Sequence, residues 1–268
     1  MKQTSSTDND PERLNREREF HNQRYADDAV RSNCVGRFYE ISETFFAKYR
    51  ERVLRDAGGA RVLEYGVGAG SNAFALAEQG ALVTGIDISE TAVAIGERES
   101  MRRGLRINFQ VMNAEKTAFE DQSFDVVCGT GILHHLDLRK AIPEIRRLLR
   151  QGGYAVFVEP MGHNLLINLF RQMTPAIRST DEHPLLKNDL RFIGSYFGTC
   201  RTEYFGLVSL ATSFARPLRR NLRLRRFLEA VDRCLFTVPL MRRQAWLVLI
   251  ELGNKNQVQS RSYVQSVT

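Results

Sequence analysis

From Arg61 to Glu159 the chain alternates short apolar runs with amphipathic helical patterns, and no other feature narrows its fold so far. The runs Val62 to Tyr65, Leu82 to Ile86, Ile107 to Met112, Phe124 to Cys128 and Tyr154 to Glu159 have the length and composition of buried strands. Between them Ser71 to Gln79, Glu90 to Arg103 and Leu138 to Arg150 read as helices, the last stopped by Gly152-Gly153. Strands alternating with helices need right-handed crossovers, which produce a parallel sheet covered by helices on both faces. The sequence therefore predicts a doubly wound α/β domain.

The first strand runs into Glu64-Tyr65-Gly66-Val67-Gly68-Ala69-Gly70-Ser71, and the second ends beside Asp87, nineteen residues after Gly68. Glycines at such a turn let the backbone approach a ligand without a Cβ clash, and the following helix start offers unpaired N–H groups. An acid at the tip of the second strand can accept hydrogen bonds from two ribose hydroxyls. Read as Gly66-x-Gly68, or as Gly68-x-Gly70-x-x-Ala73, the loop suits a dinucleotide pyrophosphate. Glu64 argues otherwise, because a carboxylate before the glycines repels a pyrophosphate and attracts the ammonium of a methionine moiety, directly or through water.

With Gly85-Ile86-Asp87-Ile88-Ser89, Asn113-Ala114-Glu115, Phe124-Asp125-Val126-Val127, Ile132-Leu133-His134-His135-Leu136 and Leu148-Leu149-Arg150-Gln151-Gly152-Gly153, the stretch from Arg61 to Glu159 resembles the class I S-adenosylmethionine-dependent methyltransferases, in particular their small-molecule group. The resemblance implies a seven-stranded, mostly parallel, Rossmann-like sheet whose last two strands form an antiparallel hairpin. It also implies S-adenosyl-L-methionine as cofactor, with Glu64, Gly66, Gly68 and Gly70 against the methionine part, Asp87 on the ribose and Ile88 beside the adenine. Asn113, where the family usually has aspartate, and Ala114 would meet the adenine; Gly129 and Thr130 would lie under the methionine end. His134 and His135 either cap the turn after the fourth strand or transfer protons.

A second constellation, Glu159-Pro160-Met161-Gly162-His163-Asn164 with Asp181-Glu182-His183-Pro184, follows the fifth strand, on the side where open α/β sheets bind ligands. Glu159, His163, Asn164 and His183 are thus candidates for contact with an acceptor, and His134 and His163 for a catalytic base. These imidazoles and carboxylates suit proton abstraction, a clasp between two loops, or a metal; no metal site is assigned.

Residues 1–57 read as an N-terminal arm and helix, the latter over Val35 to Leu54, forming part of a lid over the acceptor. Residues 58–253 read as the methyltransferase domain with helical insertions near 160–200 and 211–244, and 254–268 as a loose tail. In the insertions, helices are expected at Asn164 to Gln172 and Leu185 to Phe197, and strands at Glu203 to Leu210 and Ala245 to Leu252.

Charge bears on partners. Nine arginines between Arg216 and Arg243 face only Glu229 and Asp232, so this segment carries the whole chain's net charge of +7. A chain-wide nucleic-acid surface is disfavoured, and an anionic partner would meet that segment. Its Leu218, Leu222, Phe227, Leu228, Val231 and Leu235 form an apolar stripe expected to pack.

The expected partner is a small-molecule acceptor, anionic or lipophilic. The sequence has no membrane-spanning run and no apolar leader, so it reads as cytoplasmic, with peripheral membrane contact left open. Cys34, Cys128, Cys200 and Cys234 lack CxxC spacing and read as reduced and mostly buried. Three rival readings stand: an RNA or protein methyltransferase using the arginines, a non-catalytic S-adenosylmethionine-binding protein, and a nicotinamide oxidoreductase.

Overall fold

The computed structural model describes residues 11–27, 43–55, 57–213 and 221–254. Cys34, residues 35–42 of the expected first helix, Arg216, Leu218, Arg219, Arg220, and all of the tail but Asn254 lie outside them. Seven strands form one sheet: β1 (Arg61–Tyr65), β2 (Leu82–Asp87), β3 (Ile107–Val111), β4 (Phe124–Thr130), β5 (Leu149–Pro160), β6 (Thr199–Phe205) and β7 (Leu247–Gly253). Their spatial order is β3-β2-β1-β4-β5-β7-β6. The first five pair in parallel, and β7 lies antiparallel between β5 and β6, as the resemblance implied.

Helices cover both faces because β1, β4 and β5 are apolar on both sides, as parallel central strands must be. In chain order they are α1 (Pro11–Ala26), α2 (Glu43–Leu54), α3 (Ser71–Glu78), α4 (Glu90–Arg103), α5 (Leu138–Leu148), α6 (Leu165–Met173), α7 (Lys187–Ser195), α8 (Leu222–Leu235) and α9 (Pro239–Arg242). One core is built by α5, whose Leu138, Ala141, Ile142, Ile145 and Leu148 are buried, together with Leu190 and Ile193 of α7. The opposite core takes Phe45, Tyr49 and Val53 of α2, Ala73 and Phe74 of α3, and Val93 of α4. Truncating Ile142, which is fully buried, should cost about 2–5 kcal/mol.

Local signals set the edges. The hydroxyl of Ser89 accepts the Ala92 N–H to start α4, and Gly104 in the left-handed conformation ends it. Helix α5 stops two residues before the expected Arg150, because Leu149 already pairs with Phe124 and the chain enters β5. Strand β6 begins and ends earlier than the expected Glu203 to Leu210. Gly206 turns at φ +74°, and the buried Asp232 then takes the N–H groups of Leu207, Val208 and Ser209, pulling them out of the sheet.

Two other expectations change, for the stripe of α8 and for the cysteines. On α8, Leu222 and Phe227 face solvent instead of packing, since the only fully buried side chain there is Asp232. On α6, Leu165, Leu166 and Leu169 are exposed, while Ile167 packs with Leu210. Cys128 is buried, but Cys200 and Cys234 are exposed. No helix among the described residues is long and apolar enough to cross a membrane.

Candidate functional site

Strand order reverses between β1 and β4, and crevices outside the carboxyl ends of strands at such a reversal are where open α/β sheets bind ligands. A cavity of about 470 Å³ opens there. One wall is the strand-turn edge, with Glu64, Gly66, Gly68, Asp87, Ile88, Asn113, Ala114 and Thr130. The other is assembled from α1, the turn after β4, and the segment between β5 and α7.

The strand-turn wall is a fixed backbone scaffold. Gly66 and Gly68 have φ of +62° and +53°, and a Cβ on Gly68 would collide with the Tyr25 hydroxyl. Asp87 holds the turn with both oxygens, Oδ2 accepting the Gly68 N–H at 2.9 Å and Oδ1 the Ser89 N–H at 2.9 Å. Asn113 accepts the Glu115 N–H through Oδ1 at 2.9 Å.

Glu64 is the unusual group. Burial pushes its carboxyl up to about 8 against the pull of Asn72, which donates to Oε1 at 3.1 Å, and of the Ala73 N–H, and Oε2 is buried with no hydrogen bond of good geometry. A buried, unpaired acceptor of this kind is costly alone and favourable beside a cation. The residues present therefore fit an ammonium group at Glu64 and a sugar at Asp87.

The opposite wall is closed by α1. Arg13 donates to the His135 carbonyl and pairs with Glu115, and Asn22 accepts from the Ser89 hydroxyl and the Thr91 N–H. Arg16 bridges to Asp181, and Ser179 donates to Glu17. Burial raises the Glu17 carboxyl, but the imidazoles of His135 and His21 outweigh it and hold the group well below the usual carboxylate range. Burial and the neighbouring His134 push His135 down to about 4, so it is neutral near pH 7. On the same wall burial and nearby Arg178 push Arg171 down to about 10, and Arg178 pairs with Glu182 at 2.7 Å.

His134 lines the cavity, and its Nδ1 stands 2.8 Å from Glu159 Oε2. Glu159 does not face the cavity as expected: it is fully buried and also accepts the N–H groups of Ile132 and Leu133, so its carboxylate positions the turn that carries His134. Burial pushes it up to about 7 against the pull of those donors.

The other expected acceptor contacts are held elsewhere. His163 Nε2 accepts the Lys187 N–H at 3.3 Å, Asn164 caps α6 through the Ile167 N–H, and the exposed His183 lies near the Asp181 carbonyl. None of the three is on the cavity wall. Gly70 and Gly129 also lie off it; a Cβ on Gly70 would meet Phe109 and Phe74, and one on Gly129 would stand 2.8 Å from the Tyr65 carbonyl. Arg13, Glu17, Asn72, Arg171 and Arg178 line the wall without having been singled out in the sequence.

Residues 63–157 match a family model described as a methyltransferase domain. A ubiquinone biosynthesis O-methyltransferase from Coxiella burnetii is 33% identical over 100 residues, 37% of this chain and 43% of the relative. An uncharacterised methyltransferase, YcgJ, from Bacillus subtilis is 34% identical over 101 residues, 37% of this chain and 40% of that one. The matched stretch thus spans less than half the length of these relatives. In fold, a methyltransferase from Archaeoglobus fulgidus superposes with a TM-score of 0.57 at 20% identity, over 79% of this chain and 94% of its own. The sheet order, the glycine turn with Asp87 and the family match over that same stretch make residues 63–157 a methyltransferase domain of the class I S-adenosylmethionine-dependent type.

Proposed function

We propose that this protein moves the methyl group of S-adenosylmethionine to an oxygen of a small, partly apolar acceptor, with His134 as general base. The donor would supply a methyl group made electrophilic by its sulfonium. Glu64 Oε2 would hold the donor's ammonium, Gly66 and Gly68 would let the backbone lie against the methionine part, and Asp87 would accept from the ribose. Ile88, Asn113 and Ala114 would flank the adenine. Helix α1, with Tyr25 over Gly68, would cover the donor and exclude water.

The observation that carries the reading is that His134, held through Nδ1 by Glu159 at 2.8 Å, shares one cavity with the donor residues. A carboxylate on Nδ1 fixes the orientation of the imidazole, and an imidazole so held can exchange a proton with a bound hydroxyl. Methyl transfer otherwise depends on alignment, so a positioned base matters where the nucleophile arrives as a hydroxyl or phenol. The relatives named as O-methyltransferases fit this. Phe45, Phe46, Phe170 and Trp246 would receive the apolar part of the acceptor, and Arg171 with Arg178 an anionic substituent on it.

Melting experiments test the donor assignment. At a hundredfold excess over Kd, S-adenosylmethionine or S-adenosylhomocysteine should stabilise the fold by about 2.7 kcal/mol, and NAD should not. No shift with either sulfur ligand defeats the reading. Labelled donor incubated with a fractionated extract of the source then finds the acceptor without guessing it.

A further inference from the structure

We propose that Glu17, His21 and His135 form a binding site for a divalent transition-metal ion on the cavity wall that faces the acceptor. The placement of the acceptor rests on the methyl-transfer reading above; the metal site itself does not.

Glu17 and His21 stand one helical turn apart on α1, so both side chains project from one face of it. His135 comes from the turn after β4, more than a hundred residues away in sequence. Their ligand atoms nevertheless converge: Glu17 Oε2 is 3.1 Å from His135 Nδ1 and 3.4 Å from His21 Nε2. Ligands about 2.1 Å from a tetrahedral ion are about 3.4 Å apart, whereas good N–H···O hydrogen bonds cluster nearer 2.9 Å. Glu17 is 3% exposed and His135 8%, and apart from these contacts neither Glu17 Oε2 nor His135 Nδ1 has a hydrogen-bond partner. Two buried polar atoms thus point at one place, and an ion there would satisfy both.

The donor set names the class of ion. Two imidazole nitrogens with one carboxylate suit zinc, iron, cobalt or nickel, whereas magnesium and calcium prefer oxygen-rich sites. All three ligands line the cavity, and three protein ligands leave a coordination position for a substrate oxygen, as catalytic rather than structural sites do. His134 and Glu182 also bring ligand atoms close to a ring nitrogen of His135, so a proton acceptor neighbours one of the proposed ligands.

An acceptor hydroxyl bound to the ion would give up its proton to His134 or water. Its oxygen lone pair then forms the new C–O bond while the S–C electron pair stays on sulfur. Charge balances and no oxidant or reductant is needed.

The test uses the full chain, stripped with a chelator and shown by calorimetry to bind S-adenosylhomocysteine, then titrated with Co²⁺ and read by visible absorption. A single site should appear with d–d bands at one equivalent, displaced by Zn²⁺. His21→Ala and Glu17→Gln should each weaken Co²⁺ binding roughly tenfold or more while S-adenosylhomocysteine binding stays within about threefold. No bands in the wild-type protein, or equal Co²⁺ affinity in both variants, overturns the site and leaves the cluster as a latch holding α1. Failure to bind S-adenosylhomocysteine would overturn the methyl-transfer reading instead, and the Co²⁺ spectrum would still decide the metal.

Discussion

The two walls of the cavity are built by opposite means. On the strand-turn wall each side chain is placed by its own strand end or turn: Asp87 closes β2 and ties back to Gly68, and Glu64 sits inside β1. On the other wall almost nothing is local. Glu17 meets Ser179 and His135 across long stretches of chain, and Arg16 meets Asp181. The first wall is rigid because the sheet makes it so, whereas the second exists only while α1 is docked. Binding of a shared donor should therefore depend on the first, and choice of acceptor and proton chemistry on the second.

The largest effect expected is on His134, in the turn after β4 that belongs to the second wall. His134→Ala should lower kcat by about 10²- to 10⁴-fold, the usual contribution of a general base, with donor affinity nearly unchanged. Glu159→Gln should act in the same direction through the orientation of His134. If kcat of His134→Ala at saturating substrates stays within about threefold, under roughly 1 kcal/mol of barrier, the enzyme works by positioning alone.

Next in size comes the strand-turn wall itself. Gly68→Val places a branched side chain where φ is +53° and where a Cβ already collides with the Tyr25 hydroxyl. Asp87→Ala removes the proposed ribose acceptor and frees the N–H groups of Gly68 and Ser89. Each should weaken S-adenosylhomocysteine binding about a hundredfold, or about 2.7 kcal/mol, in calorimetry. Asp87→Ala binding within twofold of wild type would remove the distinction between the walls.

This contrast also explains what was legible in the sequence. The glycine turn, Asp87, Asn113 and the order of β1 to β5 are read directly, because strand–turn–helix units carry their own spacing. The expected Glu90 to Arg103 helix matches α4 end for end, since Ser89 and Gly104 cap it. Glu17 was invisible: α1 is a mostly polar segment with no apolar periodicity, and its burial comes from contacts the sequence does not encode locally. Glu159 and His163 look like acceptor contacts because they lie at and just past the end of β5, but sequence position does not say which way a side chain turns. Glu159 is drawn under the turn by two backbone N–H groups, and His163 turns to the start of α7.

Protonation separates the walls more gently. Without donor, burial keeps the Glu64 carboxyl near 8, above its ordinary 4.5. A raised carboxyl favours folding below pH 4.5, and that contribution is lost as pH rises through 8. An ammonium beside it reverses the preference, so donor binding below pH 8 must release a proton. Affinity should therefore fall by up to about tenfold for each unit that pH drops below 8. Calorimetry in buffers of different ionisation enthalpy should count close to one proton released near pH 7, and Glu64→Gln should abolish the release. A proton count near zero in wild type would place the ammonium elsewhere.

The smallest effect tests whether α1 belongs to the second wall alone. Asn22 accepts from the Ser89 hydroxyl at 2.6 Å and from the Thr91 N–H at 3.2 Å, and it donates to Glu90, so it pins α1 to the start of α4 beside Asp87. Asn22→Ala removes these bonds, each worth about 0.5–1.5 kcal/mol, while Ser89 keeps its cap on Ala92. The sheet does not depend on them, so melting of the donor-free protein should barely move. What should change is release: S-adenosylhomocysteine should dissociate roughly three- to tenfold faster, in step with about 1 kcal/mol. Arg16→Ala, which breaks the half-exposed bridge to Asp181, should do less, since such pairs contribute about 0–1 kcal/mol. Stopped-flow displacement measures both rates. If Asn22→Ala and wild type release the product equally fast, α1 does not gate the donor, and its docking serves only the acceptor wall that carries Glu17 and His21.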